Sequence, residues 1–264
     1  MAPLVIIVTL ILGVMFVNGW TDAPNAIATA ISTRSVSPSR AIKIAVFCEF
    51  LGAFTMSIIS PKVANTLSNL VQFKPEENDM ALVVLAAAMF SIVVWAVTAW
   101  YFGIPTSESH ALIAGVTGAA MALGGLSSVN LNEWSKVIIG LVLSTVLGFG
   151  MGFLFTKFIE FSCYNLRRST ANRIFAAGQT FGAGAMAFMH GAQDGQKFMG
   201  IFLLGVYLFD PKMVSVNEFG EFNIPFWLIA LCALTIGLGT SVGGYRIIKA
   251  VGMDMVKLEK YQGF

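Results

Sequence analysis

What most constrains this chain is a series of long apolar stretches, at 3–34, 41–59, 81–102, 103–125, 137–159, 175–209 and 225–248. A helix needs about 20 residues to cross the hydrocarbon of a bilayer. The stretches beginning at 41, 81, 137 and 225 pass that test as continuous spans, whereas those at 3, 103 and 175 are interrupted by polar residues, Gly and Pro. With 56% hydrophobic residues, 11% charged residues and a mean hydropathy of +0.78, the chain lacks the polar surface that a soluble globule must present to water. The expected fold class is therefore an all-α integral membrane protein, multi-pass in the cell membrane, with the lipid bilayer as its solvent. A net charge of +2 and the lack of any Lys/Arg-rich run exclude a nucleic-acid partner. Cys48, Cys163 and Cys232 have no metal-ligand spacing and read as packing residues. The first stretch, Pro3 to Val17, has no preceding basic residue and no small-residue cleavage site, so it is expected to be retained.

Lys and Arg are kept in short cytoplasmic loops, which sets the orientation. Arg34, Arg40 and Lys43 fall inside, as do Lys157, Arg167, Arg168 and Arg173, and the tail with Arg246, Lys249, Lys257 and Lys260. The connections 60–80, with Glu76, Glu77 and Asp79, and 210–224, with Asp210, Glu218 and Glu221, then fall outside, and the C-terminal end is cytoplasmic. The segment 3–34 consequently ends inside and 175–209 ends outside. Both carry the same event, Gly19-Trp20-Thr21-Asp22 in one and Gly191-Ala192-Gln193-Asp194 in the other. Opposite direction plus a matching break predicts inverted-topology repeats whose discontinuous helices meet at a substrate site. The first repeat spans 1–160, a basic linker 161–174, and a partial second repeat 175–264.

An ionised Asp at the centre of a span costs about 2.5–3.5 kcal/mol on insertion scales, so Asp22 and Asp194 need cations, donors or water. Pro24 suits the first turn of a half-helix, which Asp22 could cap; cap and ion ligand can coincide. Two such acids at antiparallel breaks favour an ion site. Asn25, Gln193 and Gln196 offer amide oxygens suited to sodium, beside backbone carbonyls released at the breaks. Lys197 reads either as a salt bridge to Asp194 or as a substrate contact, and His190 either as an interior imidazole or as a proton relay.

In Gly103-Ile104-Pro105-Thr106-Ser107-Glu108-Ser109-His110, Pro105 and the hydroxyl cluster mark a helix N-terminus, where free N–H groups and the dipole favour an anion. Thr106, Ser107 and Ser109 add donors without charge, as suits an anion that must be released. The plain alternative is a capping box. Glu108 is a cap partner, a cation ligand or a protonatable group. Moving an anion into an inside-negative cell is opposed by about 2.3 kcal/mol per charge per 100 mV, so uptake needs accompanying cations. Gly148-x-Gly150-x-Gly152, Gly178-x-x-x-Gly182 and Gly239-x-x-x-Gly243 are expected to pack helices closely.

These motifs resemble the PiT family of inorganic phosphate transporters. Gly19 to Ala30 looks like that family's first signature, His190 to Lys197 is similar to its second, and Pro105 to His110 resembles its Pro-Val-Ser-Thr-Thr-His element. The resemblance implies symport of inorganic phosphate with sodium or protons, an inverted repeat and a dimer, with no other cofactor and no enzymatic activity. On that basis the expected phosphate ligands are Thr106, Ser107, Ser109, Asp22, Asn25, Gln193, Asp194 and Lys197. The expected coupling-ion ligands are Asp22, Asn25, Asp194, Gln196 and Glu108, with Asp22 and Asp194 holding sodium. Thr21 and Gln193 stand where the family carries Asn, which leaves sodium or proton coupling open, and Glu108 replaces a hydroxyl, which leaves sulfate open. The sequence stops at Gln262-Gly263-Phe264, ahead of the family's second Pro-Ser-Thr-Thr-His element. A transport-incompetent fragment, completed by a second copy or a complementary chain, is thus a further expectation. An intramembrane aspartyl protease would carry Tyr-Asp and Gly-x-Gly-Asp, which neither motif supplies.

Overall fold

The computed structural model describes residues 2–60, 62–71, 78–218, 222–242, 245–249 and 258–264. Glu76, Glu77, Glu221, Gly243 and Lys257 lie outside the described residues. In chain order the helices are α1 (Ala2–Thr21), α2 (Pro24–Ser32), α3 (Pro38–Ile59), α4 (Lys62–Ser68), α5 (Asn78–Phe102) and α6 (Glu108–Gly124). They continue with α7 (Leu131–Cys163), α8 (Arg168–Phe209), α9 (Phe226–Val242), α10 (Tyr245–Lys249) and α11 (Lys260–Gly263). Among the described residues, five stretches are long and apolar enough to cross a membrane: Ala2–Ser32, Pro38–Ile59, Met80–Phe102, Glu108–Ser128 and Leu131–Cys163.

The first expected break is present and has a local cause. Pro24 has no N–H to return to the carbonyl four residues back, so the α-helical ladder stops at Asp22, whose N–H still reaches Asn18 O at 2.9 Å. Two tighter bonds, Asn25 N–H to Asp22 O at 2.9 Å and Ala26 N–H to Ala23 O at 3.1 Å, carry the chain into α2. Asp22 does not cap that helix: the N-cap is Ala23, with no side-chain cap bond.

The second expected break does not occur. α8 runs 42 residues without interruption, absorbing part of the anticipated linker and passing straight through Gly191–Asp194. At 1.5 Å per residue it is about 63 Å long, twice the hydrocarbon thickness. Gln196 occupies the place that Pro24 holds in the first motif and has an N–H to give, so the backbone carbonyls there stay inside the helix instead of being freed as ligands.

Apolar side chains gain little by meeting each other rather than lipid, so helices in a bilayer associate through close backbone approach at small residues. Here that approach is made twice. A Cβ on Gly19 of α1 would land on the Ile236 carbonyl oxygen of α9, and one on Gly239 of α9 would land on the Phe16 carbonyl oxygen of α1. In the other pair, Gly191 of α8 lies against the Glu49 backbone of α3, and Gly52 of α3 against the Phe188 carbonyl of α8. Phe16 and Gly19 are separated from Phe188 and Gly191 by one constant offset, and Glu49 and Gly52 from Ile236 and Gly239 by another. One packing solution therefore serves both α1 on α9 and α8 on α3. A core of Ile7, Ile11 and Met15 from α1, Met89 and Ile92 from α5, and Phe198, Met199 and Ile201 from α8 fills the space between.

Other glycines behave differently from expectation. Gly148, Gly150 and Gly152 of α7, and Gly182 of α8, have nothing within 4 Å of a would-be Cβ. No residue of α7 is buried, so its small residues pack against no helix among the described residues.

Candidate functional site

The two glycine crossings bring α1 and α8 together with their acids facing. Asp194 is 3% exposed, inside a helix with no break to solvate it, and every oxygen is engaged. Oδ2 accepts from Asn18 Nδ2 at 3.0 Å and lies 3.2 Å from His190 Nε2, while Oδ1 receives Lys197 Nζ at 2.6 Å. The His190 ring bridges further, with Nε2 3.5 Å from Asp22 Oδ2 and Nδ1 2.8 Å from Glu49 Oε1. Glu49, fully buried in α3, is also bonded by the Thr240 hydroxyl of α9. Asp22 Oδ1 accepts from Asn25 Nδ2 at 2.8 Å. Asp22, His190 and Asp194 each present a ligand atom within 4.8 Å of the others.

The third interrupted stretch meets this cluster through its helix N-terminus. α6 begins at Glu108 with Ser107 as N-cap, whose oxygen accepts from the His110 N–H at 3.4 Å and faces His110 Nδ1 at 2.6 Å. The N–H groups of Glu108 and Ser109 lie in the first turn, where a helix has no acceptor of its own. The Ser109 hydroxyl receives Lys197 Nζ at 2.6 Å and is itself 3.5 Å from Asp194 Oδ1. One ammonium thus joins Asp194 to the anion-favouring end of α6. Glu108, 1% exposed, accepts at Oε1 from Thr21 at 3.1 Å and from Thr106 at 3.3 Å.

Of the residues expected from sequence, Asp22, Asn25, Asp194, Lys197, Ser109, Thr106 and Glu108 converge as these contacts describe. Ser107 serves as cap and lines an open groove with Trp95, His110 and Ala114. Two expectations are corrected. Gln193 is exposed, since a position adjacent to Asp194 points about 100° away around an unbroken helix. Gln196 is buried elsewhere, where Oε1 accepts the Val63 N–H at 3.3 Å and so caps α4. The sequence reading did not include Asn18, Glu49 or Thr240. A lone acid in the apolar run 41–59 was the signal for Glu49, because ionisable residues inside spans are rare and face the interior. Asn18 lies one turn before Asp22 on the same helix face.

Cation chemistry fits these residues. Asn18 Oδ1 and Glu108 Oε2 are buried without a hydrogen-bond donor among the described residues. An orphaned buried oxygen is destabilising unless something positive reaches it. Hard oxygen donors of this kind suit sodium or a protonating group.

A multi-span helical protein with buried acids, amides and an ammonium gathered at a helix N-terminus has the build of a transporter and not of an enzyme. Residues 18–264 match the phosphate transporter family, and the chain belongs to it. It is 33% identical over 260 residues to a "probable low-affinity inorganic phosphate transporter" of Bacillus subtilis (strain 168), covering 98% of this chain and 74% of that protein. A protein of the same description from Rhizobium meliloti (strain 1021) is 33% identical over 249 residues, covering 94% and 71%. A solved structure described as the sodium-dependent phosphate transporter superposes with a TM-score of 0.79 at 20% identity, over all of this chain and 81% of that one, which shows the fold.

Proposed function

We propose that this chain carries inorganic phosphate across the cell membrane by symport with sodium or protons, between two inverted repeats, with its C-terminal end cytoplasmic. The observation that carries the proposal is the junction at Lys197, where Asp194 and the N-terminus of α6 share one ammonium. In this reading the anion sits at Thr106, Ser109 and the first-turn N–H groups of α6, and the cation at Asp22, with Asn18 and Glu108 supplying further oxygens.

Phosphate rather than sulfate follows from the acids. A site lined by Glu108 and Asp194 repels a bare dianion, whereas phosphate near neutral pH keeps a proton that it can donate to Glu108 Oε2, which has no donor in the structure. Sulfate has no such proton.

Labelled phosphate uptake into proteoliposomes tests this. The expected result is uptake that rises with an inward sodium or proton gradient and that a tenfold excess of sulfate leaves nearly unchanged. Equal competition by sulfate would favour a general oxyanion permease. The proposal includes assembly as a homodimer or with a complementary chain, which light scattering on the purified protein measures.

A further inference from the structure

The two motifs at the site occupy equivalent places at one constant offset, and the residues at those places differ in charge. Asn18 corresponds to His190, Asp22 to Asp194, Pro24 to Gln196 and Asn25 to Lys197, at the same offset that relates Phe16 and Gly19 to Phe188 and Gly191. The hydrogen bonding repeats as well. Asn25 donates to Oδ1 of the acid three residues before it at 2.8 Å, and Lys197 donates to Oδ1 of the acid three residues before it at 2.6 Å. The other oxygen of each acid faces the opposite motif: Asp194 Oδ2 receives Asn18 at 3.0 Å, and Asp22 Oδ2 faces His190 at 3.5 Å. The acids are thus held alike, but only Asp194 has a permanent positive charge belonging to the chain.

We propose that Lys197 is a tethered cation, filling at Asp194 the role that a free coupling cation fills at Asp22. Three observations converge on it. The ammonium is within hydrogen-bonding distance of the carboxylate and only 15% exposed, with its partner 5% exposed, so the charge is held in the site. It also bonds Ser109, which puts it where a coupling cation would touch the anion. The neutral amide at the equivalent place, Asn25, leaves Asp22 with no ammonium, only a share of the His190 ring that also faces Asp194 and Glu49, and two buried oxygens without donors among the described residues, Asn18 Oδ1 and Glu108 Oε2, belong to the same first-motif side of the cluster. Lys197 does not leave the protein, so it adds nothing to the charge moved per phosphate. A relative with an amide at this place would move one more cation for each anion.

The inference rests on the phosphate symport reading, and one experiment separates the two. In proteoliposomes with equal sodium and pH on both sides, a fixed inorganic phosphate gradient and membrane potential set by valinomycin and potassium, the potential that nulls net labelled phosphate flux gives the charge moved per phosphate, whichever cation couples. Lys197→Asn should raise that number by one, and Asn25→Lys should lower it by one. An unchanged number in an active variant overturns the proposal, as does a silent Lys197→Asn beside an active Asn25→Lys with the wild-type number. Wild-type protein that moves no phosphate overturns the symport reading instead. If both variants are silent in flux, denaturation midpoints of the purified proteins across sodium chloride, with choline chloride as control, and across pH decide. One more cation-dependent stabilising step in Lys197→Asn than in wild type supports the tethered cation, and identical curves overturn it.

Discussion

The α1–α2 motif and the α8 motif place an acid in the same setting by different means. In α1–α2 a proline opens the helix beside Asp22, whose carboxylate meets the Asn25 amide at 2.8 Å and the His190 ring at 3.5 Å but no ammonium. In α8 the helix is closed, and Asp194 is held in the interior by the His190 ring, the Asn18 amide and the Lys197 ammonium. A buried carboxylate can be stabilised by opening backbone and admitting a mobile ion or by supplying the ion covalently, and the proposed function assigns one to each side. On that proposal repeated motifs need not repeat function: the α8 copy would be the fixed wall of the site, and the α1–α2 copy the side that opens and exchanges.

The most severe way to break the comparison is Asp194→Asn, which strands the Lys197 ammonium among apolar helices. Removing one partner of a buried pair costs about 3–5 kcal/mol, so phosphate uptake should fall by roughly 100-fold or more, with a lower denaturation midpoint of the purified protein. Uptake within a fewfold of wild type would show that the pair is not confined. Gly191→Leu comes next, because its side chain meets Glu49 backbone and must push α3 from α8. Overpacking of this kind typically costs about 1–3 kcal/mol. Gly148→Leu, with open space around it, should change the unfolding free energy by less than about 0.5 kcal/mol.

Pro24→Ala sharpens the comparison by making the first motif resemble the second. It restores the missing N–H, so α1 and α2 can join into one continuous helix as α8 does, and the variant should transport more slowly than wild type. A faster transporter would contradict a role for the opening. The smallest effect is expected at Gln193→Ala, where uptake should remain unchanged because the side chain faces away from the cluster.

Much of this was legible in the sequence because bilayers impose simple rules. Apolar length anticipated the five candidate spans up to Cys163, whereas of 225–248, expected to cross as a full span, the described helix is the 17-residue Phe226–Val242; an acid inside an apolar run pointed to Asp22 and Asp194. The hydroxyl run after Pro105 located the start of α6, whose Ser109 reaches Lys197. What failed was the inference of a break from Gly-x-x-Asp alone. Glycine permits a break but only a missing N–H enforces one, and the second motif carries Gln196 where the first has Pro24. The amide at Gln196 was read as an ion ligand, yet chemistry suited to an ion is equally suited to an orphan helix N–H, and α4 supplied one. Glu49 joined the site through a crossing fixed by Gly52 and Gly191, a tertiary relation that spacing along one helix cannot convey.

The central claim is that Asp22 and Asp194 act within one site through shared neighbours, and a double-mutant cycle on phosphate binding tests it most directly. Titration calorimetry on wild type, Asp22→Asn, Asp194→Asn and the double variant should give a combined loss that differs from the sum of the single losses by about 0.5–3 kcal/mol, as residues in one network do. Losses that add to within about 0.5 kcal/mol, as for distant independent positions, would contradict the account.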